Sequence, residues 1–175
     1  MFADPEKNLR SFSLGSSMVV ADLGAGSGFY TIAAARHVPN GKVYAVEIIK
    51  DFLPTIRNKA AHAGLTNIEV IWGDVERPSG TGIGEAVCDR VIASNILSQV
   101  EDKDSFVKEI SRILKNNGEV LYIDWSPGLA LATGHNDRTV TKNKALEMFK
   151  QHGLEYVSDV AAGSSHYGMI LKKVK

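Results

Sequence analysis

Apolar and polar positions along the chain alternate between two periods. Short runs rich in Val, Ile and Ala near 19–23, 42–47, 68–72, 87–93 and 119–125 have the length and composition of buried strands, and 29–37, 50–63 and 104–114 carry the wider spacing of helices. In the last of these helices Phe106, Val107, Ile110, Ile113 and Leu114 form one apolar face, and Asn117-Gly118 ends it. A further helix is expected to start after Thr141, carry Leu146 and Phe149, and stop at Gly153. Beyond it Tyr156–Ala161 and Tyr167–Leu171 flank Gly163-Ser-Ser-His166 as a hairpin. The alternation predicts an α/β fold, a doubly wound and mostly parallel sheet of seven strands ending in an antiparallel hairpin, with helices on both faces.

One junction in this pattern carries chemistry. Val19-Val-Ala-Asp-Leu runs directly into Gly24-Ala-Gly-Ser-Gly28 and then a helix. Gly24, Gly26 and Gly28 can take positive φ or leave room where a Cβ would collide, and the helix that follows offers unpaired N–H groups to a charged, nucleotide-like ligand. The next strand, Lys42–Glu47, ends in a carboxylate 23 residues after Gly24. In a βαβ unit that spacing brings Glu47 beside the glycine loop, where it can accept hydrogen bonds from both hydroxyls of a ribose. Glycine-rich turns of this type also serve dehydrogenases or act as turn devices alone. Here the spacing is Gly-x-Gly-x-Gly rather than the Gly-x-Gly-x-x-Gly of hydride transfer, and no tyrosine is followed four places later by lysine.

Five segments in order, Asp22-Leu-Gly-Ala-Gly-Ser-Gly28, Val43-Tyr-Ala-Val-Glu47, Asn67-Ile-Glu-Val-Ile-Trp-Gly-Asp74, Asp89-Arg-Val-Ile-Ala-Ser-Asn95 and Leu114-Lys-Asn-Asn-Gly-Glu-Val-Leu-Tyr-Ile-Asp124, give the chain its resemblance to a known family. It resembles the class I S-adenosylmethionine-dependent methyltransferases, in particular the small ubiquinone/menaquinone-biosynthesis-like (type 11-like) members, from about Val19 to its end. The resemblance implies a Rossmann-like sheet, S-adenosylmethionine as cofactor and S-adenosylhomocysteine as product. It implies a binding set of Asp22, Gly24, Ala25, Gly26, Gly28, Tyr30, Glu47 and Ile48 from the first two strands and their loops. Gly73, Asp74 and Val75 would meet the adenine, and Asn95 the amino-acid portion. Asp74 can equally cap a turn before Pro78-Ser-Gly80, Ile48 can be core, and Asp22 can order the glycine loop. The chain continues as Asn95-Ile-Leu-Ser, not Asn-Pro-Pro-Tyr, which counts against enzymes that methylate adenine or glutamine amide nitrogens.

Composition narrows the acceptor. The 175 residues fit one domain over 1–175, with a short arm at 1–18 and a substrate-side loop over 125–140, and contain no repeat, low-complexity segment or linker. Lys plus Arg and Asp plus Glu are equal at 20 each, so no net basic field holds a polyanion, which argues against nucleic acid. Cys88, the sole cysteine, permits no intrachain disulfide and reads as a core filler in a reducing compartment. No run of about 18 apolar residues marks a membrane span, so a cytoplasmic protein is expected. His37, His62, His152 and His166 read as surface residues without metal-ligand spacing, and no metal is expected.

The expected reaction is displacement of a sulfonium methyl by a substrate nucleophile in line, on a small-molecule acceptor. No catalytic residue is fixed by the sequence. Asp124 and His135 are candidates to take a proton, Trp125 to wall a pocket and Arg138 to bind an anionic group, each with an ordinary strand-end, core or surface role as its alternative. Substrate choice falls to the arm around Phe2, Phe12 and Leu14 and to the 124–138 loop, and a homodimer or a partner subunit stays open. Two other functions stand beside this one. RNA or protein methylation is suggested by Val43-Tyr-Ala-Val-Glu47, which also resembles fibrillarin-like enzymes, and the short arm leaves room for a cofactor-binding, non-catalytic subunit of a larger complex.

Overall fold

The computed structural model describes residues 4–127 and 138–174. Seven strands form one sheet in the order β3-β2-β1-β4-β5-β7-β6. They are β1 Val19–Leu23, β2 Lys42–Glu47, β3 Ile68–Trp72, β4 Cys88–Ser94, β5 Leu114–Trp125, β6 Leu154–Val160 and β7 His166–Lys173. The first five are parallel, and β7 runs antiparallel between β5 and β6. The hairpin expected at the end is thus present, with its second strand inserted against the parallel sheet. Strand order reverses between β1 and β4, and the crevice beyond the carboxyl ends of the strands at such a point is where open α/β sheets bind ligands.

Helices cover both faces because both faces of each central strand are apolar. On one side α1 Pro5–Arg10, α2 Phe29–His37 and α3 Phe52–His62 pack over Val20, Val43, Ala45 and Ile92. On the other, α4 Lys103–Ile113 and α5 Lys142–Gln151 bury Phe106, Ile110 and Phe149 against Ala21, Val91, Val120 and Tyr122. Side-chain caps fix where these last two start: Asp102 accepts from the Ser105 N–H at 3.0 Å, and Thr141 from the Lys144 N–H at 3.2 Å.

Four sequence expectations are corrected. The arm before β1 holds a helix, α1, capped by Asp4 and started by Pro5. Phe12 is fully buried beside Leu9 under α2, so it is core rather than a substrate wall; Phe2 lies outside the described residues. The fourth helix stops at Ile113, and β5 begins at once at Leu114, opposite Cys88, with a register shift before Arg90 pairs with Glu119. Asn117-Gly118 therefore sits in this irregularity, with Asn117 at φ 63°, and does not end the helix. His166 is buried on β7, where its ring lies 4.1 Å from that of Trp125, and is not a surface residue. Cys88 is core as expected, and burial pushes its thiol up to about 12.

Candidate active site

The crevice opens into a cavity of about 830 Å³ at the carboxyl ends of β1, β2, β3 and β4. Its floor is the turn after β1. The N–H groups of Gly24 and Ala25 both donate to the Val46 carbonyl, at 2.9 and 3.1 Å, which presses the turn onto the end of β2. Gly24 adopts φ +69°, and a Cβ there would fall 2.3 Å from Ile96 Cδ1. Gly26 adopts φ +52°, and a Cβ there would meet nothing within 4 Å, so its missing side chain leaves ligand space rather than packing space.

Glu47 locks this turn. Its Oε2 accepts the Gly26 N–H at 2.7 Å and its Oε1 the Ile49 N–H at 2.8 Å, so one carboxylate holds both the glycine turn and the turn after β2. Each oxygen keeps a lone-pair site for a further donor. Gly28 is the cap residue of α2 at φ +83°, and α2 has no side-chain cap. Every residue expected to hold the cofactor lines the cavity except Gly28, which faces α3 and a neighbouring groove.

Asp22 lies beneath the turn, 2% exposed, and accepts from Thr31 Oγ1 at 2.5 Å. Burial pushes its carboxyl up to about 6 although the Thr31 hydrogen bonds oppose the shift, and the charge of Glu47 adds to it. Tyr30 accepts from Asn8 Nδ2 at 2.7 Å, joining α1 to the cavity wall. Asp74 does cap its turn, with Oδ1 accepting the Glu76 N–H at 3.0 Å, and Oδ2 pairs with Arg77 at 3.0 Å. Ile48 is half exposed at the mouth rather than core. Asn95 lines the cavity, holds a left-handed φ of 56° and donates its N–H to the Ile123 carbonyl at 2.8 Å, while its Oδ1 is buried without a hydrogen-bond partner.

The substrate-side candidates are not gathered here. Asp124 and Trp125 at the end of β5 are not among the cavity-lining residues, and Arg138 pairs across 3.8 Å with Glu101. His135 lies outside the described residues. The cavity also takes in residues that the sequence did not single out. Phe29, Ile49 and Phe52 make an apolar rim, and Glu76 accepts the N–H groups of Glu101 and Asp102, tying the turn after β3 to the start of α4. Ile49 and Phe52 could have been found from their places just after Glu47. Glu76 gave no local signal, because its partners stand 25 and 26 residues away.

Comparison with known proteins bears on family and fold. A methyltransferase domain model matches residues 14–173. Malonyl-[acyl-carrier protein] O-methyltransferase of Halalkalibacterium halodurans is 22% identical over 140 residues, 79% of this chain and 50% of that protein. The ubiquinone/menaquinone biosynthesis C-methyltransferase of Pasteurella multocida is 30% identical over 109 residues, 61% of this chain and 40% of that protein. The chain thus spans half or less of the length of these relatives. A crystal structure of a SAM-dependent methyltransferase from Aquifex aeolicus superposes with a TM-score of 0.85 at 23% identity, covering 99% of this chain and 91% of that one, and so shares the fold.

Proposed function

The chain belongs to the methyltransferase domain family and has the class I S-adenosylmethionine-dependent fold, and on that premise we propose that it binds S-adenosylmethionine in the β1–β4 cavity and methylates a small organic molecule. The observation that carries the reading is the Glu47 carboxylate, clamped between the Gly26 and Ile49 N–H groups with acceptor capacity to spare beside an open glycine face. In this reading Glu47 accepts from the ribose hydroxyls, and Gly24, Ala25 and Gly26 let the backbone approach. Asp74 and Val75 take the adenine edge, Ile48 covers its face, and Asn95 meets the amino-acid end.

The cofactor supplies an electrophilic methyl that a substrate nucleophile displaces in line. What the protein contributes is position: alignment and exclusion of water are worth roughly 7–11 kcal/mol without a covalent step by any side chain. Asp22 ties the end of β1 to α2 through Thr31, and Phe29, Ile49 and Phe52 give the cavity an apolar rim. The balanced charge of the chain supports a small acceptor over a polyanion. No helix among the described residues is long and apolar enough to cross a membrane, and the single buried thiol suits a cytoplasmic setting.

Calorimetric titration tests this directly. S-adenosylmethionine and S-adenosylhomocysteine are expected to bind and NAD not to, with binding lost in Glu47→Ala and Gly26→Val. A folded protein that binds neither, or that prefers NAD, overturns the reading.

A further inference from the structure

Helix α1 is tied to the cavity by one buried polar contact that its packing does not require. The helix has six residues, too few to hold its shape without tertiary contacts, and Leu9 and, just beyond the helix, Phe12 supply those by burying in one cluster with Ala33 and Ala34 of α2. Asn8, on the same helix, is 1% exposed, and its Nδ2 donates to Tyr30 Oη at 2.7 Å from 22 residues away in the chain. Taking an amide out of water costs free energy that an apolar side chain in that place would not, so what Asn8 contributes there is the bond to Tyr30.

Tyr30 belongs to the cavity. It stands in the first turn of α2, is buried, and lines the cavity together with Pro5 of α1 and Ser94 at the end of β4. Its hydroxyl is hydrogen-bonded to Ser94 as well. Burial raises the phenol above its ordinary value, and the hydrogen bonds with Asn8 and Ser94 oppose that rise, so the group is a neutral phenol at neutral pH. One oxygen thus joins α1, α2 and β4 at a residue of the cavity wall.

The place of Tyr30 along the sheet edge says which part of a ligand it meets. The strands that bound the cavity run β3-β2-β1-β4, with Gly73 and Asp74 after β3 at one end and Ser94 and Asn95 at the other. With adenine at Asp74 and Val75 and ribose at Glu47, the part of the cofactor beyond the ribose falls to the β4 end, where Tyr30 is held. We infer that Asn8 is a positioning residue that sets Tyr30 against the amino-acid end of the cofactor, which makes α1 part of the binding wall and not an arm in front of the fold. This rests on the function proposed above.

Calorimetric titration of the whole protein with S-adenosylhomocysteine and with 5′-methylthioadenosine, which lacks the amino-acid portion, tests the assignment. Asn8→Leu keeps the branching of the side chain and removes its polar atoms, and Tyr30→Phe removes the hydroxyl alone. Each is expected to weaken S-adenosylhomocysteine about threefold to tenfold and to leave 5′-methylthioadenosine within about twofold. The double variant is expected to lose no more than Tyr30→Phe by itself, because Asn8 acts through that hydroxyl. A residue that only fastened α1 would lower the melting temperature and leave both affinities as they were. Unchanged S-adenosylhomocysteine affinity in Asn8→Leu, an equal loss for the two ligands, or losses that add in the double variant overturns the inference. If Asn8→Leu does not melt cooperatively, Asn8→Ala takes its place in the same comparison. A wild type that binds neither ligand strikes the function proposed above, whereas a wild type that binds both, with variants that do not tell them apart, strikes this inference alone.

Discussion

The two sides of the sheet's carboxyl edge are built from different materials. On the β1–β3 side the working groups are backbone: glycine turns at positive φ whose N–H groups are taken by the Val46 carbonyl and by Glu47, which also holds the Ile49 N–H. On the β5–β7 side they are side chains, with Asp124 accepting from Tyr122 on the same strand and Tyr122 meeting Tyr167 on β7. The first arrangement forms from residues close in sequence and survives changes elsewhere. The second is complete only once β7 has docked on β5. Two buried acids mark the contrast: Asp22 accepts from a hydroxyl nine residues away on α2, whereas Asp124 accepts from Tyr122 on its own strand, which in turn meets Tyr167 on β7.

The sharpest way to break the comparison is at the backbone itself. Gly26→Val is expected to abolish S-adenosylmethionine binding in calorimetry while leaving the fold, because its Cβ enters open ligand space and the left-handed backbone costs only about 1–2 kcal/mol. Loss of the cooperative melt instead would show that Gly26 serves packing.

Next in size is the pH dependence set by Asp22. Its folded carboxyl titrates at about 6 against 3.8 in a free chain, so between those values the folded protein holds the proton more tightly than the unfolded one. Its contribution is complete below the lower value and is lost as pH rises through the upper, a fall of up to about 3 kcal/mol that urea denaturation of the ligand-free protein should show. Asp22→Asn should flatten that slope, and an unchanged slope would remove Asp22 as its source.

Glu47→Gln tests the clamp more gently. An amide has one acceptor oxygen, so either the Gly26 or the Ile49 N–H loses its partner, at a cost of about 1–3 kcal/mol in stability and roughly tenfold in cofactor affinity. Asn95→Gly removes the orphaned Oδ1 without straining the backbone at φ 56°, and should weaken cofactor binding by about threefold to tenfold with no loss in melting temperature. The smallest effect belongs to the far side: Trp125→Phe, which keeps an aromatic ring against His166, should leave cofactor affinity unchanged. A marked loss there would erase the distinction between the two sides.

How far each side could be read beforehand follows from the range of its contacts. The glycine turn and Glu47 were legible because strand, turn, helix and strand follow in order, and spacing alone sets their register. α1 was missed although Asp4 and Pro5 signal a helix start, because six residues show too little periodicity to stand out from an arm. Phe12 was read as a substrate contact because an isolated aromatic before the first strand gives no sign of which face it joins. His166 was placed on the surface because it adjoins Gly163-Ser-Ser, whereas register pairs it with Trp125 and buries it. The start of β5 at Leu114 depends on pairing with Cys88, which no local pattern encodes.

The sequence by itself determined the parallel sheet, its terminal hairpin and the glycine–carboxylate edge, since each rests on hydrophobic period and on residues a few turns apart. Only the tertiary structure decided that Asn95 Oδ1 is buried without a partner, that Glu76 joins two walls of the cavity, and that Asp124 is buried against the Tyr122 hydroxyl. The physical reason is that hydrogen-bond satisfaction and burial are properties of a site's whole surroundings. Those surroundings come from strands that meet only when the sheet is complete.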